Sequence, residues 1–103
     1  MKEIIDKLQK AFDHRTRLGI MSILLVNDWV EFNGLKETLP GVTDGALASH
    51  LKTLEEAGHI EVRKRFVGRK PNTSYQVTAA GRRAFNEHLD ALEKLIRLLG
   101  EPE

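Results

Sequence analysis

The residues best equipped for chemistry in this 103-residue chain are cations. Between Val62 and Arg83 stand Arg63, Lys64, Arg65, Arg69, Lys70, Arg82 and Arg83 with no Asp or Glu among them, so this window carries +7 although the chain nets only +1. A charge run usually marks nothing more than a solvated face, but this one coincides with a hairpin pattern, which gathers it into a local basic surface suited to a polyanion. Groups for covalent chemistry are missing by contrast. There is no cysteine, Ser22 and Met21 sit in an apolar helical pattern, Gly68-Arg69-Lys70 lacks phosphate-cradling loop spacing, and no HExxH occurs. His14, His50, His59 and His88 fall on separate elements with no i, i+4 pair, which reads as capping, surface or packing roles and as no metal. No enzyme activity and no cofactor are expected.

The elements that must position these cations belong to one domain, residues 1–103, because a chain of this length with 41% hydrophobic and 30% charged residues is too short for two independent cores. The absence of cysteine favours a cytoplasmic protein over a small secreted one. The longest apolar run, Ile23 to Val26, is far below the roughly 20 residues that span a bilayer, and Met1-Lys2-Glu3 opens no signal-peptide pattern. No membrane association is expected.

Ile4, Ile5, Leu8 and Phe12 outline a first short helix over residues 1–12. Asp13 can cap a second, whose apolar positions from Leu18 to Leu25 cover more than one face and place it at the centre of the domain. Trp29 to Phe32 reads as a strand-like stretch, and Asn33 to Leu39 as a third, short helix stopped by Pro40-Gly41. Thr43 is an N-cap for a fourth helix with Leu47, Leu51 and Leu54 in one row and Gly58 at its end. Ile60 to Val67 and Ser74 to Val77 alternate as two strands around a basic Gly68–Thr73 loop. Thr78 then caps a long last helix over about residues 79–99, and Glu101-Pro102-Glu103 reads as a frayed tail.

The third and fourth helices, joined across Pro40-Gly41-Val42, make a helix-turn-helix. With its leucines turned to the core, the fourth helix offers Thr43, Asp44, Ala46, Ser49, His50, Lys52 and Thr53 as the side that faces a DNA major groove. Ser49 and Lys52 are expected at base edges, and Thr43 or a helix N-terminal amide at a phosphate. Asp44 is an awkward member, explained either by the helix dipole or by a cytosine amino group. Arg69 and Lys70 on the hairpin loop, with Arg63 and Arg65 as helpers, are expected on phosphates or in a minor groove; strand alternation sets Lys64 on the opposite face and makes it the weakest of the set.

Leu51-Lys52-Thr53-Leu54-Glu55-Glu56-Ala57-Gly58-His59-Ile60-Glu61-Val62 resembles the "hLkkLeeaGlIev" signature of winged-helix transcriptional regulators, and Tyr75-Gln76-Val77-Thr78-Ala79-Ala80-Gly81-Arg82-Arg83 resembles their second wing strand and closing helix. Asp13 to Met21 is similar to the opening of the same group, which includes MarR-like and ArsR-like regulators and a compact single-domain class. The likeness runs from about Phe12 to Phe85. It implies a mainly α fold with a small β-hairpin, a homodimer and double-stranded DNA as partner, with Val67 to Thr73 as the wing. ArsR-like metal sensing is not implied, since the last helix offers only His88 beside Glu87 and Asp90. A winged helix kept as a protein-interaction module is the competing reading, disfavoured by the wing charge.

Apolar residues Phe85, Leu89, Leu92, Leu95, Ile96 and Leu99 form a surplus stripe with a/d-like spacing on the last helix. Together with Ile4, Ile5 and Leu8 they are expected to form a twofold dimer interface, which makes residues 1–12 and 79–99 dimerisation helices. The operator, the regulated genes, the sign of regulation and any small-molecule effector are not encoded in these patterns.

Overall fold

The computed structural model describes residues 1–100; the tail Glu101-Pro102-Glu103 lies outside the described residues. The described chain runs α1 (Lys2–Asp6), a 3₁₀ turn (Lys10–Phe12), α2 (Arg15–Leu25), β1 (Val30–Glu31), α3 (Phe32–Thr38), α4 (Asp44–Glu56), β2 (Ile60–Val67), β3 (Lys70–Val77) and α5 (Ala79–Gly100). β3 lies between β1 and β2 in an antiparallel three-stranded sheet. Val30 pairs with Tyr75, and the β2–β3 ladder extends from Ile60↔Val77 out to Val67↔Lys70. This is a winged helix: a helix-turn-helix, a wing hairpin and a long closing helix.

The core explains why the helices pack as they do. Ile20, Met21 and Leu24 of α2, Leu35 of α3 and Leu47 and Leu54 of α4 are all fully buried. Burying each such side chain contributes roughly 1.5–3 kcal/mol, so the leucine row of α4 anchors that helix and leaves its opposite side free. Thr43 caps α4 as its sequence position suggests, its Oγ1 accepting from the Ala46 N–H at 3.1 Å. At the other end Gly58 takes φ +80, its N–H donates to the Glu55 carbonyl, and the His59 N–H donates to the Leu54 carbonyl. That pair of bonds is the Schellman arrangement, which needs a residue tolerant of the left-handed region.

Several expected boundaries move. Residues 1–12 are not one helix: α1 stops at Asp6, and Gln9 is extended because its N–H donates to Nδ1 of His88 on α5 at 2.9 Å. Phe12 is thereby turned inward, stacking edge-on against Phe85 with ring centroids 5.0 Å apart. His14, not Asp13, caps α2. Asp13 is helical at the end of the 3₁₀ turn, whereas His14 is extended and its Nδ1 accepts from the Thr16 N–H. The wing loop is shorter than Gly68–Thr73. Lys70, Pro71, Asn72 and Thr73 are already in β3, and the turn is the two-residue Gly68-Arg69, with Gly68 at φ +66 in the first central position, as a type II′ turn requires.

α5 is joined to the domain by Thr78, whose Oγ1 accepts from the Gly81 N–H at 2.8 Å and donates to the Gly58 carbonyl at 2.7 Å. One residue therefore caps α5 and ties it to the end of α4. Beyond this joint the 22-residue helix runs past the core and contributes to the elongated outline of 62 × 27 × 21 Å. Phe85, expected on a partner-facing stripe, is 1% exposed in the domain's own core, because it faces Phe12.

Candidate nucleic-acid interface

The exposed side of α4 carries Asp44, Gly45, Ala46, Ala48, Ser49, Lys52 and Thr53. Small residues near its N-terminus let a groove wall approach the helix closely. Asp44 does not stand alone there: its carboxylate is ion-paired with Lys36 of α3 across the turn of the helix-turn-helix. The pair reduces the repulsion that an acid would otherwise offer to phosphate.

His50, expected on the same groove-facing side, is instead half-buried against α2. Its Nδ1 lies 3.0 Å from the Arg17 guanidinium, and its ring is 4.2 Å from that of His14. Arg17 Nε also donates to the Ala11 carbonyl at 2.6 Å, so the guanidinium links the 3₁₀ turn, α2 and α4. Burial, together with the neighbouring His14 and Arg17, pushes the His50 pKa below the ordinary imidazole value. The histidines are thus not scattered in space. His59 and His88 both pack on Phe12, and burial lowers the pKa of each, partly opposed at His88 by the Asp13 carboxylate.

Pairing across the hairpin sorts the wing cations by face, because directly opposed residues of an antiparallel pair point to the same side. Ile60, Val62, Lys64 and Phe66 lie on the α4 side with Val77, Tyr75, Thr73 and Pro71 opposite them. Lys64 and Lys52 of α4 line one shallow groove with Ala48, Glu55, Val62 and Tyr75. Burial and the nearby Glu55 raise the Tyr75 pKa. Arg63 and Arg65 point to the other face, and they differ. Arg63 is half-buried with its guanidinium carbon 4.2 Å above the Trp29 ring, whereas Arg65 is exposed. Arg69 in the turn and Lys70 beside it are exposed, and among the described residues neither is ion-paired. Arg82 is held at the base of the domain, its guanidinium 3.5 Å from the Leu25 carbonyl.

Strand alternation sets Lys64 on the face opposite Arg63 and Arg65, and the structure places it there, toward α4. Its alternation in step with Ile60 and Val62, both apolar, is the available signal, since that pattern places it on the side that covers α4. The Arg63–Trp29 stack and the Lys36–Asp44 pair have no such signal. They join residues far apart in the chain.

Residues 16–96 match the family model described as a winged helix DNA-binding domain. The chain belongs to this family. An uncharacterised protein of Methanocaldococcus jannaschii is 39% identical to this winged helix over 80 residues, which is 78% of this chain and 86% of the relative. A transcriptional regulator homologue from Pyrococcus horikoshii superposes with TM-score 0.85 at 28% identity, covering 97% of this chain and 99% of its own. Bacillus subtilis PadR, solved in complex with operator DNA, shares the fold at TM-score 0.65 and 15% identity, over 74% of this chain and 48% of PadR. MarR-family regulators share this fold as well. The winged helix has the architecture of DNA-binding transcriptional regulators, and no helix among the described residues is long and apolar enough to cross a membrane.

Proposed function

We propose that this protein is a sequence-specific, double-stranded-DNA-binding transcriptional regulator of the cytoplasm that acts as a homodimer, with α4 in the major groove and the wing on the flanking backbone. The observation that carries this reading is the convergence of Lys52 on α4 and Lys64 on β2 at one groove beside an exposed, small-residue helix face. Phosphate contacts from the wing supply affinity and register, and side chains on α4 supply base discrimination. Thr43, Asp44, Ala46, Ser49, Lys52 and Thr53 are the α4 set, with His50 acting through its hold on Arg17. Arg65, Arg69, Lys70 and Lys64 are the wing set, and Arg63 orients the wing through Trp29.

The single 1–103 domain carries its own dimerisation surface in this reading. Leu89, Ile96 and Leu99 are 41%, 68% and 80% exposed along α5, and Leu98, which lies outside the heptad stripe, is 54% exposed. Leu92 and Leu95 are half-buried, and α1, with Ile5 exposed and Ile4 half-buried, packs beside the same helix. A second copy covering this strip through a twofold axis would set two α4 helices about 34 Å apart, one DNA turn. Fluorescence anisotropy with random duplex DNA, single-stranded RNA and an unrelated acidic protein, at two salt concentrations, tests the function. Duplex binding that weakens steeply with salt is expected; equal binding to RNA, or no binding to either nucleic acid, defeats it.

A further inference from the structure

The wing ends in an apolar point that its own domain does not cover. Phe66 is 72% exposed and Val67 57%, consecutive at the end of β2 just before a turn whose neighbours are Lys64, Arg65, Arg69 and Lys70. Phe66 pairs across the hairpin with Pro71, so two rigid apolar side chains stand side by side on the face that also carries Lys64 and overlooks α4. Along a strand rising about 3.4 Å per residue, Phe66 projects roughly 7 Å beyond Lys64. Phe66 is not among the described residues that form the core or pack against it, which ends nearer the base of the hairpin, at Tyr75 and Val77.

A surface of this composition selects its occupant by two chemistries at once. The four cations, with no acid on the hairpin between Val62 and Val77, demand a polyanion. The exposed phenyl demands an apolar, flat face within reach of those anions. Duplex DNA supplies both, because phosphates line the minor groove and opening one base step there bares the flat π faces of its base pairs. We propose that Phe66 is a wedge that enters the minor groove, levers open one base step and bends the duplex, with Lys64, Arg65, Arg69 and Lys70 holding the phosphates on either side. This rests on the DNA-binding reading above and adds to it a bend and a form of sequence selection that no hydrogen bond supplies. Steps that unstack easily, TA and CA/TG, are the favoured insertion points. The tight Gly68-Arg69 turn suits the task, since a two-residue connection keeps Phe66 on a paired strand rather than on a loop.

The test uses the full chain and a duplex selected by the wild-type protein from a random pool, labelled at both ends for energy transfer. Wild type is expected to shorten the end-to-end distance on binding. Phe66→Ala should bind at least ten-fold more weakly with an unchanged salt slope and leave the duplex straight, whereas Phe66→Leu, still an apolar wedge, should restore part of the bend. Arg69→Ala with Lys70→Ala should instead lower the salt slope. Replacing the TA and CA/TG steps beneath the wing should weaken wild type but not Phe66→Ala. Thermal unfolding, expected unchanged for so exposed a side chain, separates binding from folding. A Phe66→Ala protein that binds and bends the duplex like wild type overturns the wedge, as does Phe66-dependent binding to phosphatidylserine vesicles with no Phe66-dependent bend. A wild-type protein that binds no duplex defeats the DNA-binding reading itself, a distinguishable result.

Discussion

A Cβ atom added to Gly81 would stand 2.0 Å from the carbonyl oxygen of His59. The first turn of α5 therefore rests directly on the backbone that links α4 to the wing, with the Thr78 N–H donating to that same carbonyl at 3.0 Å. Only glycine fits. Because the obstacle is backbone rather than the end of a flexible side chain, relief requires moving α5. Gly81→Ala is expected to destabilise the domain by about 3 kcal/mol, the upper part of the overpacking range. At about 4–8 °C per kcal/mol for a domain near this size, thermal unfolding should shift downward by about 12–24 °C. A shift within about 2 °C would show that the helix docks less closely than this geometry states.

The wing cations should separate by mechanism. Arg69→Ala combined with Lys70→Ala should reduce the salt slope of duplex binding by about 0.9 for each phosphate left without its cation, and Lys64→Ala by about 0.9 on its own. Arg63→Ala is expected to lower thermal stability as well, because its guanidinium rests on Trp29. Equal salt slopes for Lys64→Ala and wild type would remove Lys64 from the interface.

On α4, Ser49→Ala and Lys52→Ala should each change sequence preference in a selection from random duplexes, whereas Lys36→Ala should weaken binding to all sequences by exposing the Asp44 charge. Unaltered affinity and preference for both Ser49→Ala and Lys52→Ala would rule out α4 as the reading helix.

Stability should fall on mild acidification. His50, His59 and His88 each have a folded-state pKa below the ordinary imidazole value, chiefly through burial. Below about pH 6.5 the unfolded chain binds protons that the folded chain refuses, so stability present above that pH is lost as pH drops. His88 shows why in structural terms: its Nδ1 accepts from the Gln9 N–H, and a protonated ring has no acceptor to give. Denaturant unfolding across this range should show a weaker pH dependence for His88→Gln than for wild type. An identical dependence would mean that His88 titrates freely in the fold.

Dimerisation is checked by sedimentation equilibrium at micromolar concentration. Wild type should be a dimer and Ile96→Asp with Leu99→Asp a monomer of unchanged fold, since both positions, 68% and 80% exposed within one chain, lie outside its core. A wild-type monomer would discard the one-turn spacing of two α4 helices as well.

Much of this is legible in local pattern. Thr43 and Gly58 bracket α4 through interactions spanning at most five residues, and the leucines between them repeat at the helical period, so its ends and buried face follow from nearest neighbours in the chain. The basic hairpin is equally visible, because period-2 alternation and a Gly-bearing turn are local signals. What the sequence could not contain were decisions made by partners far away in it. His88 takes the Gln9 amide and breaks the first helix, Phe12 draws Phe85 off the outer stripe, Trp29 captures Arg63, and Arg17 captures His50. The strand ladder also runs on through Pro71 and Asn72, residues whose turn preference favours a loop, because eight paired positions outweigh the local propensity of two. Local chemistry determined which elements exist and what charge they bear; which side chains remain free to meet DNA was decided by packing, because a side chain satisfied inside the fold is no longer available outside it.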